Sequence, residues 1–216
     1  MTTRSLLREL RTRLAQLRVV DTPTLRTLRR GYSTRLQHAS AAQVIELALA
    51  LAEGTEAEYL FVAAELINSH AGARAALRPQ DLAPFLRALS SWGAVDMVGC
   101  ILTGPAWREH QLPESLLEKW TRSANRWLRR LALVSTVPLN SKARGGRGDA
   151  PRTLRVCEAL LDDRDDMVVK ALSWALRELA KRDPAVVKKF LARHRERLPA
   201  RVRRETEKKI TTGRKV

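Results

Sequence analysis

Three tryptophan-centred groups carry the residue types that could do chemistry. In the stretch 165–181, DDMVVKALSWALRELAK, a helical period of about 100° per residue puts Val168, Ala171, Leu172, Ala175, Leu176 and Leu179 on one apolar face. Lys170, Trp174, Arg177 and Lys181 fall on the opposite face, at spacings of four, three and four. An indole held among three cations and away from the leucines is a poor core residue. It reads as a surface for an anionic partner with a flat or apolar part, which describes nucleic acid.

The second group is SSWGAVDMVG, residues 90–99. Val95, Val98, Ile101 and Leu102 make the buried side of this helix. Trp92 and Asp96, four apart, share another face with Gly93, Gly99 and Thr103, small residues that leave room for a bulky partner. Asp96 is the only acidic residue between Asp81 and Glu109. A carboxylate in a polyanion-binding face costs affinity, so a chemical role would explain it. The plainer reading is a core Trp92 and an Asp96 that caps or pairs with an arginine, and spacing alone favours the plainer one. In the third group, TRSANRWLRRLALV, Trp127, Leu128, Leu131 and Val134 face inward. Arg122, Arg126, Arg129 and Arg130 gather on the outer face, where they can hold phosphate oxygens bidentately. A merely solvated face of four arginines without an acidic neighbour would repel itself.

The charge pattern agrees with an anionic partner. The 216 residues carry a formal net charge of +17 and a pI of about 11.1. Residues 1–36 contribute nine arginines against Glu9 and Asp21, a net +7; residues 37–121 are net −5; residues 122–216 are net +15. A basic excess of this size points to a polyanion. Coding bias accounts for 31 arginines against nine lysines, but not for the net charge.

Nearly every segment has helical period and strand signals are almost absent. The pattern predicts helices near 3–18, 22–37, 40–53, 56–71, 79–89, 91–103, 113–121, 123–137, 151–162, 165–181, 184–194 and 199–212. Thr22-Pro23 and Asp183-Pro184 read as an N-cap followed by proline, and Ser123 and Asp165 as further caps. Short turns between such helices predict antiparallel pairs stacked into an α-solenoid of the HEAT type, a single domain over 1–212 with a frayed basic tail at 213–216. A compact bundle is the competing architecture. The loop 140–149, with Arg144 and Arg147 among glycines, is either a mobile segment that follows a phosphate backbone or a plain flexible connection.

Cys100 and Cys157 are too few for a disulfide scaffold. Four scattered histidines offer no metal-type spacing, so a zinc site is not expected. The N-terminal stretch shows no cleavage signature and no apolar run reaches 18 residues, so a cytoplasmic protein is expected. Nothing in the pattern signals oligomerisation, and the chain is read as a monomer.

WGAVD, then WLRRLAL, then VVKALSWALRELAKRDPAVV, in this order and at these distances, resemble the DNA alkylation repair glycosylases of the AlkD type. The resemblance is most specific over 90–190. It implies an all-α, HEAT-like solenoid whose concave basic face cradles duplex DNA. It also implies hydrolysis of the N-glycosidic bond of cationic N3- and N7-alkylpurines without base flipping, a reaction that needs no metal or organic cofactor. On this resemblance Asp96 matches the catalytic carboxylate and Trp92 and Trp174 the two rings that pack on the deoxyribose. Arg130, or Arg129 one position earlier, matches the phosphate-binding arginine. Arg126, Lys170, Arg177, Lys181, Arg144 and Arg147 are the further DNA-contact candidates. Two departures stand out. The family often reads W-W-D-x-V-D where this chain has Ser91-Trp92-Gly93-Ala94-Val95-Asp96, and this chain has no aromatic residue before Tyr32. The alternatives are a DNA-binding member of the same family that has lost catalysis, and a protein-binding helical scaffold.

Overall fold

The computed structural model describes residues 2–54 and 56–214; Lys215 and Val216 of the expected basic tail lie outside the described residues. Among the described residues every regular element is helical. The helices fall into two compact units, residues 1–89 and 90–216.

The first unit holds α1 (Thr3–Ala15), α2 (Thr22–Arg35), α3 (Ala41–Ala52), α4 (Ala57–Ser69), α5 (Ala71–Ala76) and α6 (Ala83–Arg87). A capping box starts α3: Ser40 Oγ accepts from the Gln43 amide while the Gln43 side chain accepts from the Ser40 amide. Helix α1 packs on α3, and α2 on α4. Leu10, Leu47, Leu51, Leu66 and Ile67 fill the space between them. Buried Glu65 is held by Arg26 and Arg29, each at about 3.1 Å.

The second unit begins with α7 (Trp92–Val98), a wide π-type turn at Gly99–Thr103, and α8 (Gly104–Arg108). It continues with α9 (Glu114–Thr121), α10 (Arg126–Ser135), α11 (Val137–Asn140), α12 (Ala150–Ala159), α13 (Asp166–Ala180), α14 (Pro184–Arg193) and α15 (Ala200–Thr212). Helices α7, α10, α13 and α15 follow one another side by side in that order, each packed on the next. Helix α9 packs on α12 alongside. The apolar face read for 165–181 is the buried face of α13, with Val168, Leu172, Ala175 and Leu176 fully enclosed.

This is a helical repeat, and its period is written in the side-chain bonds between successive layers. Arg129 bonds Asp163 34 residues on, Arg130 bonds Met167 O 37 on, and Arg197 bonds Asp162 35 back. In the first unit Arg29 bonds Glu65 36 residues on and Arg87 bonds Glu53 34 back. Equivalent turns of neighbouring repeats therefore meet at nearly constant separation, as a stack of two-helix units requires. The spacing recurs while the residue types of the pairs differ.

Several predicted helices are divided. The helix expected over 91–103 widens at Gly99, because a Cβ there would meet Val134 Cγ1 at 2.5 Å: the backbone of this turn lies directly on α10. The wider turn shifts register and leaves Ile101 half-exposed rather than buried. The segment 79–89 opens with a 3-10 turn at Pro79–Leu82, and 123–137 starts later, at Arg126. Its cap is Asn125, whose side chain accepts from the Trp127 amide at 2.9 Å; Ser123 supports that turn by accepting from the Asn125 amide. The cap of α2 is Asp21, not Thr22. Asp165 and Asp183 cap α13 and α14 as their positions predict.

Candidate active site

Stacking of α7, α10, α13 and α15 opens a cleft of about 710 Å³ on the second unit. Asp96 comes from α7 and Arg130 from α10, Lys170, Trp174, Arg177 and Lys181 from α13 and its C-terminal end, and Arg201, Arg204, Glu205 and Lys209 from α15. The opposite-face set read for α13 thus lines one cavity together with Asp96.

Arg130 is 5 % exposed, inside the core. Its Nε donates to Asp96 Oδ1 at 3.0 Å and its Nη2 to Oδ2 at 2.9 Å, while Nη1 donates to the Met167 carbonyl at 2.5 Å. One guanidinium therefore joins three layers and fixes both oxygens of the carboxylate. Burial pushes the Asp96 carboxyl above its ordinary value of 3.8, although the Arg130 charge and hydrogen bonds pull it down. The pair is possible because Gly99 lets α7 and α10 approach and because Thr103 and Ser135 hydroxyls bond across the same contact at 2.7 Å.

The structure corrects the outer-face picture of the arginine group. Arg130 points inward, since Asp96 on the packed neighbour accepts it. Arg129 is tied down by Asp163 at 2.6 Å and by donating to the carbonyls of Ser123 and Ala124. Arg126 is exposed, stacks 4.6 Å from the Trp127 ring and reaches Asp165 at 3.5 Å. Acidic neighbours absent from the local sequence come from other repeats. Trp127 and Leu128 are half-exposed rather than inner-face residues. Gly99 and Thr103 are likewise not space for a partner; both are buried against α10. Gly93 alone of that set faces open space.

Trp174 is half-buried in the cleft wall, between Lys170, paired with Asp166 at 2.5 Å, and Arg177. Lys181 pairs with Glu178 at 2.7 Å. Trp92 is 61 % exposed at the first turn of α7, one turn before Asp96, and is not among the residues lining the cleft. It is not core. Ser91 caps that turn by accepting from the Ala94 amide.

Arg144 and Arg147 stand apart from this cleft. They are exposed, and Arg147 lines a separate cavity of about 470 Å³ with Arg108 and Arg152. Their loop is no plain flexible connection. Buried Asn140 donates to the Thr136 carbonyl and Thr153 Oγ1 and accepts from the Asp149 amide. Arg182 donates to the carbonyls of Asn140 and Gly146, and Arg108 to that of Arg144. Gly146 packs so closely on Leu139 that a Cβ would lie 2.5 Å from the Pro138 oxygen.

The α15 residues of the cleft were missed. Their only signal was the density of basic residues after Glu196, which carries no register. Both cysteines are buried; burial pushes Cys100 to about 12 and Cys157 upward as well, so neither is a ready thiolate. Among the described residues no three His, Cys, Asp or Glu side chains gather as a metal site would need, and no helix is long and apolar enough to cross a membrane.

Comparison with known proteins gives the family. No curated protein matches the chain. A solved structure, described as a predicted DNA alkylation repair enzyme from Enterococcus faecalis, superimposes with a TM-score of 0.68 at 18 % identity, over 89 % of this chain and 87 % of that one. That likeness shows the fold. The family model for DNA alkylation repair enzymes matches residues 15–210, nearly the whole chain, and the protein belongs to the DNA alkylation repair enzyme family.

Proposed function

We propose that the protein is a DNA glycosylase that hydrolyses the N-glycosidic bond of cationic N3- and N7-alkylpurines in duplex DNA, with Asp96 as the catalytic carboxylate. The observation that carries this reading is the setting of Asp96. In a chain of the DNA alkylation repair family, a half-buried carboxylate is fixed by Arg130 in a cation-lined cleft beside Trp174.

The chemistry suits such a group. An alkylated purine is already cationic, so the bond from C1′ to the base nitrogen breaks with its electron pair passing to the base. The base leaves neutral and needs no general acid. Positive charge develops on the sugar, and a desolvated carboxylate next to C1′ stabilises it far better than one in water would. Water then adds to C1′ and gives up a proton to Asp96 or to solvent. Electron-rich indole faces favour the same cation, which is the role of Trp174 in the cleft and of exposed Trp92 one turn from Asp96. Arg130 keeps the carboxylate ionised and oriented. Lys170, Arg177 and Lys181 neutralise phosphates flanking the lesion, and exposed Arg126, Arg144 and Arg147 serve backbone further out. Arg129, fully engaged within the protein, is a structural tie. In this reading the HEAT-like repeat, as a monomer in the cytoplasm, presents its basic surface to the duplex, and the lesion need not enter an enclosed pocket.

The test is the product. A duplex with a single N7-methylguanine should yield free 7-methylguanine and an alkali-labile abasic site. An intact strand carrying ordinary guanine would replace this reading with direct removal of the alkyl group. Binding without product would replace it with a non-catalytic DNA-binding protein.

A further inference from the structure

Glu205 is a carboxylate in the cleft that the proposed chemistry leaves unused. Simple electrostatics says that it should weaken the hold on a polyanion. Its surroundings give it another task. Ser173, wholly buried in α13, donates its hydroxyl to Glu205 Oε2 at 2.6 Å. Arg201 Nε donates to Oε1 at 2.8 Å, and Arg177 Nη2 lies 3.8 Å from Oε2. Arg177 Nε in turn donates to the Ser173 hydroxyl at 3.1 Å and to its carbonyl. Burial pushes the Glu205 carboxyl up, but the bonds from Ser173 and Arg201 outweigh it and leave it below its ordinary value. A carboxylate whose ionised form is favoured therefore sits between two guanidiniums that line the cleft from facing helices. Arg204, one residue away, is exposed and has no ion-pair partner among the described residues. The contrast is between cations that are held and one that is loose. A held guanidinium has already lost the rotamer freedom that binding would otherwise remove.

We propose that Glu205 is a positioning residue: it fixes Arg177 and Arg201 as preorganised donors to phosphate groups of duplex DNA lying in the Asp96–Trp174 cleft. The proposal rests on the functional reading above and deepens it by naming what sets the phosphate contacts. Its consequence runs against net charge. Glu205→Gln removes a negative charge, yet it should bind unmodified duplex DNA about tenfold more weakly, because each charge-assisted bond released costs on that order. The slope of log affinity against log salt should become shallower by about 0.9 for each phosphate that the protein no longer neutralises.

The experiment is a salt titration of duplex binding by wild type, Glu205→Gln and Ser173→Ala, each with its thermal midpoint. Weaker binding with a shallower slope, in a protein that remains folded, supports the proposal. Equal or tighter binding by Glu205→Gln with an unchanged slope overturns it. Should Glu205→Gln fail to fold, Ser173→Ala decides: without altering charge it removes the hydroxyl through which Glu205 and Arg177 are joined, and with it one bond to each. Binding a few-fold weaker than wild type supports the proposal, and binding equal to wild type overturns it. Absent or salt-insensitive binding by wild type overturns the functional reading and this proposal together. Salt-dependent wild-type binding beside a tighter Glu205→Gln overturns the role of Glu205 alone.

Discussion

In the first unit Arg35 grips Glu9 through Nη1 at 2.7 Å and Nη2 at 2.8 Å; in the second, Arg130 grips Asp96 through Nε at 3.0 Å and Nη2 at 2.9 Å. The two forks are nearly the same, and the carboxyls move in opposite directions. The Arg35 hydrogen bond holds Glu9 down at about 2, whereas burial carries Asp96 above 3.8 despite its arginine. At Asp96 burial is the largest effect, whereas at Glu9 the Arg35 bond is, helped by the Tyr32 hydroxyl and by nearby Arg13. Glu9 is also the more exposed of the two, so its pair with Arg35 is better screened and ties α1 to α2 weakly. Asp96 has lost much of its hydration, so its charge is costly in the folded protein and correspondingly strong toward any cation that develops beside it. Pairing with arginine does not by itself distinguish Asp96 from Glu9; pairing under partial burial at a cleft does, and the proposed site rests on it.

Breaking each pair should separate them most. Arg130→Ala strands a half-buried carboxylate and frees the Met167 carbonyl, and should cost about 3 kcal/mol of folding stability. Arg35→Ala should leave the unfolding midpoint close to wild type. Urea unfolding of the two variants side by side measures the contrast, and equal losses would remove the distinction drawn between them.

A smaller effect should come from the approach that makes the buried pair possible. In Gly99→Ala the added Cβ, 2.5 Å from Val134 Cγ1, must push α7 from α10. A cost of about 2 kcal/mol is expected, with base release falling as Asp96 shifts. Gly31→Ala in the first unit meets nothing within 4 Å and should be silent or slightly stabilising. Smaller again, Trp174→Ala should slow base release about tenfold, by removing an indole face from the sugar cation, while duplex binding changes less. Binding weakened in proportion would make Trp174 a contact residue only.

The pH dependences should differ in sign. Glu9 is depressed, so its contribution to stability is present above the unfolded value of 4.5 and is lost as pH falls toward about 2. Asp96 is raised, so the folded state holds that proton more tightly. Its contribution to stability is greatest below 3.8 and declines as pH rises through the folded value. Unfolding of Glu9→Gln and Asp96→Asn across about pH 2 to 6 should show opposite slopes relative to wild type. The proposed mechanism uses the ionised form, so it expects the acid limb of base release to have its midpoint above 3.8.

What the sequence made legible was whatever depends on neighbours along the chain. Asp165 and Asp183 announce α13 and α14, and the cations around Trp174 announce a polar helix face, because capping and helical period act within a few residues. Local pattern offered a pairing of Asp96 with an arginine but not with which one, because Arg130 lies 34 residues on, and only the resemblance put the two positions in one site. WLRR reads as an outward cluster until Asp96 and Asp163 arrive from adjacent repeats to take Arg130 and Arg129 apart. The glycines of 140–149 suggested looseness, yet Gly146 is there because backbone must lie on backbone. For α15, a run of basic residues without a clear apolar stripe gave no hint that Glu205 faces Ser173.

The most direct test of the central claim is single-turnover release of base from an N7-methylguanine duplex, at saturating protein, by wild type and Asp96→Asn. The account predicts release by wild type and a loss of about 10²- to 10³-fold in the variant, with duplex binding retained or strengthened. Release by Asp96→Asn at the wild-type rate would contradict it.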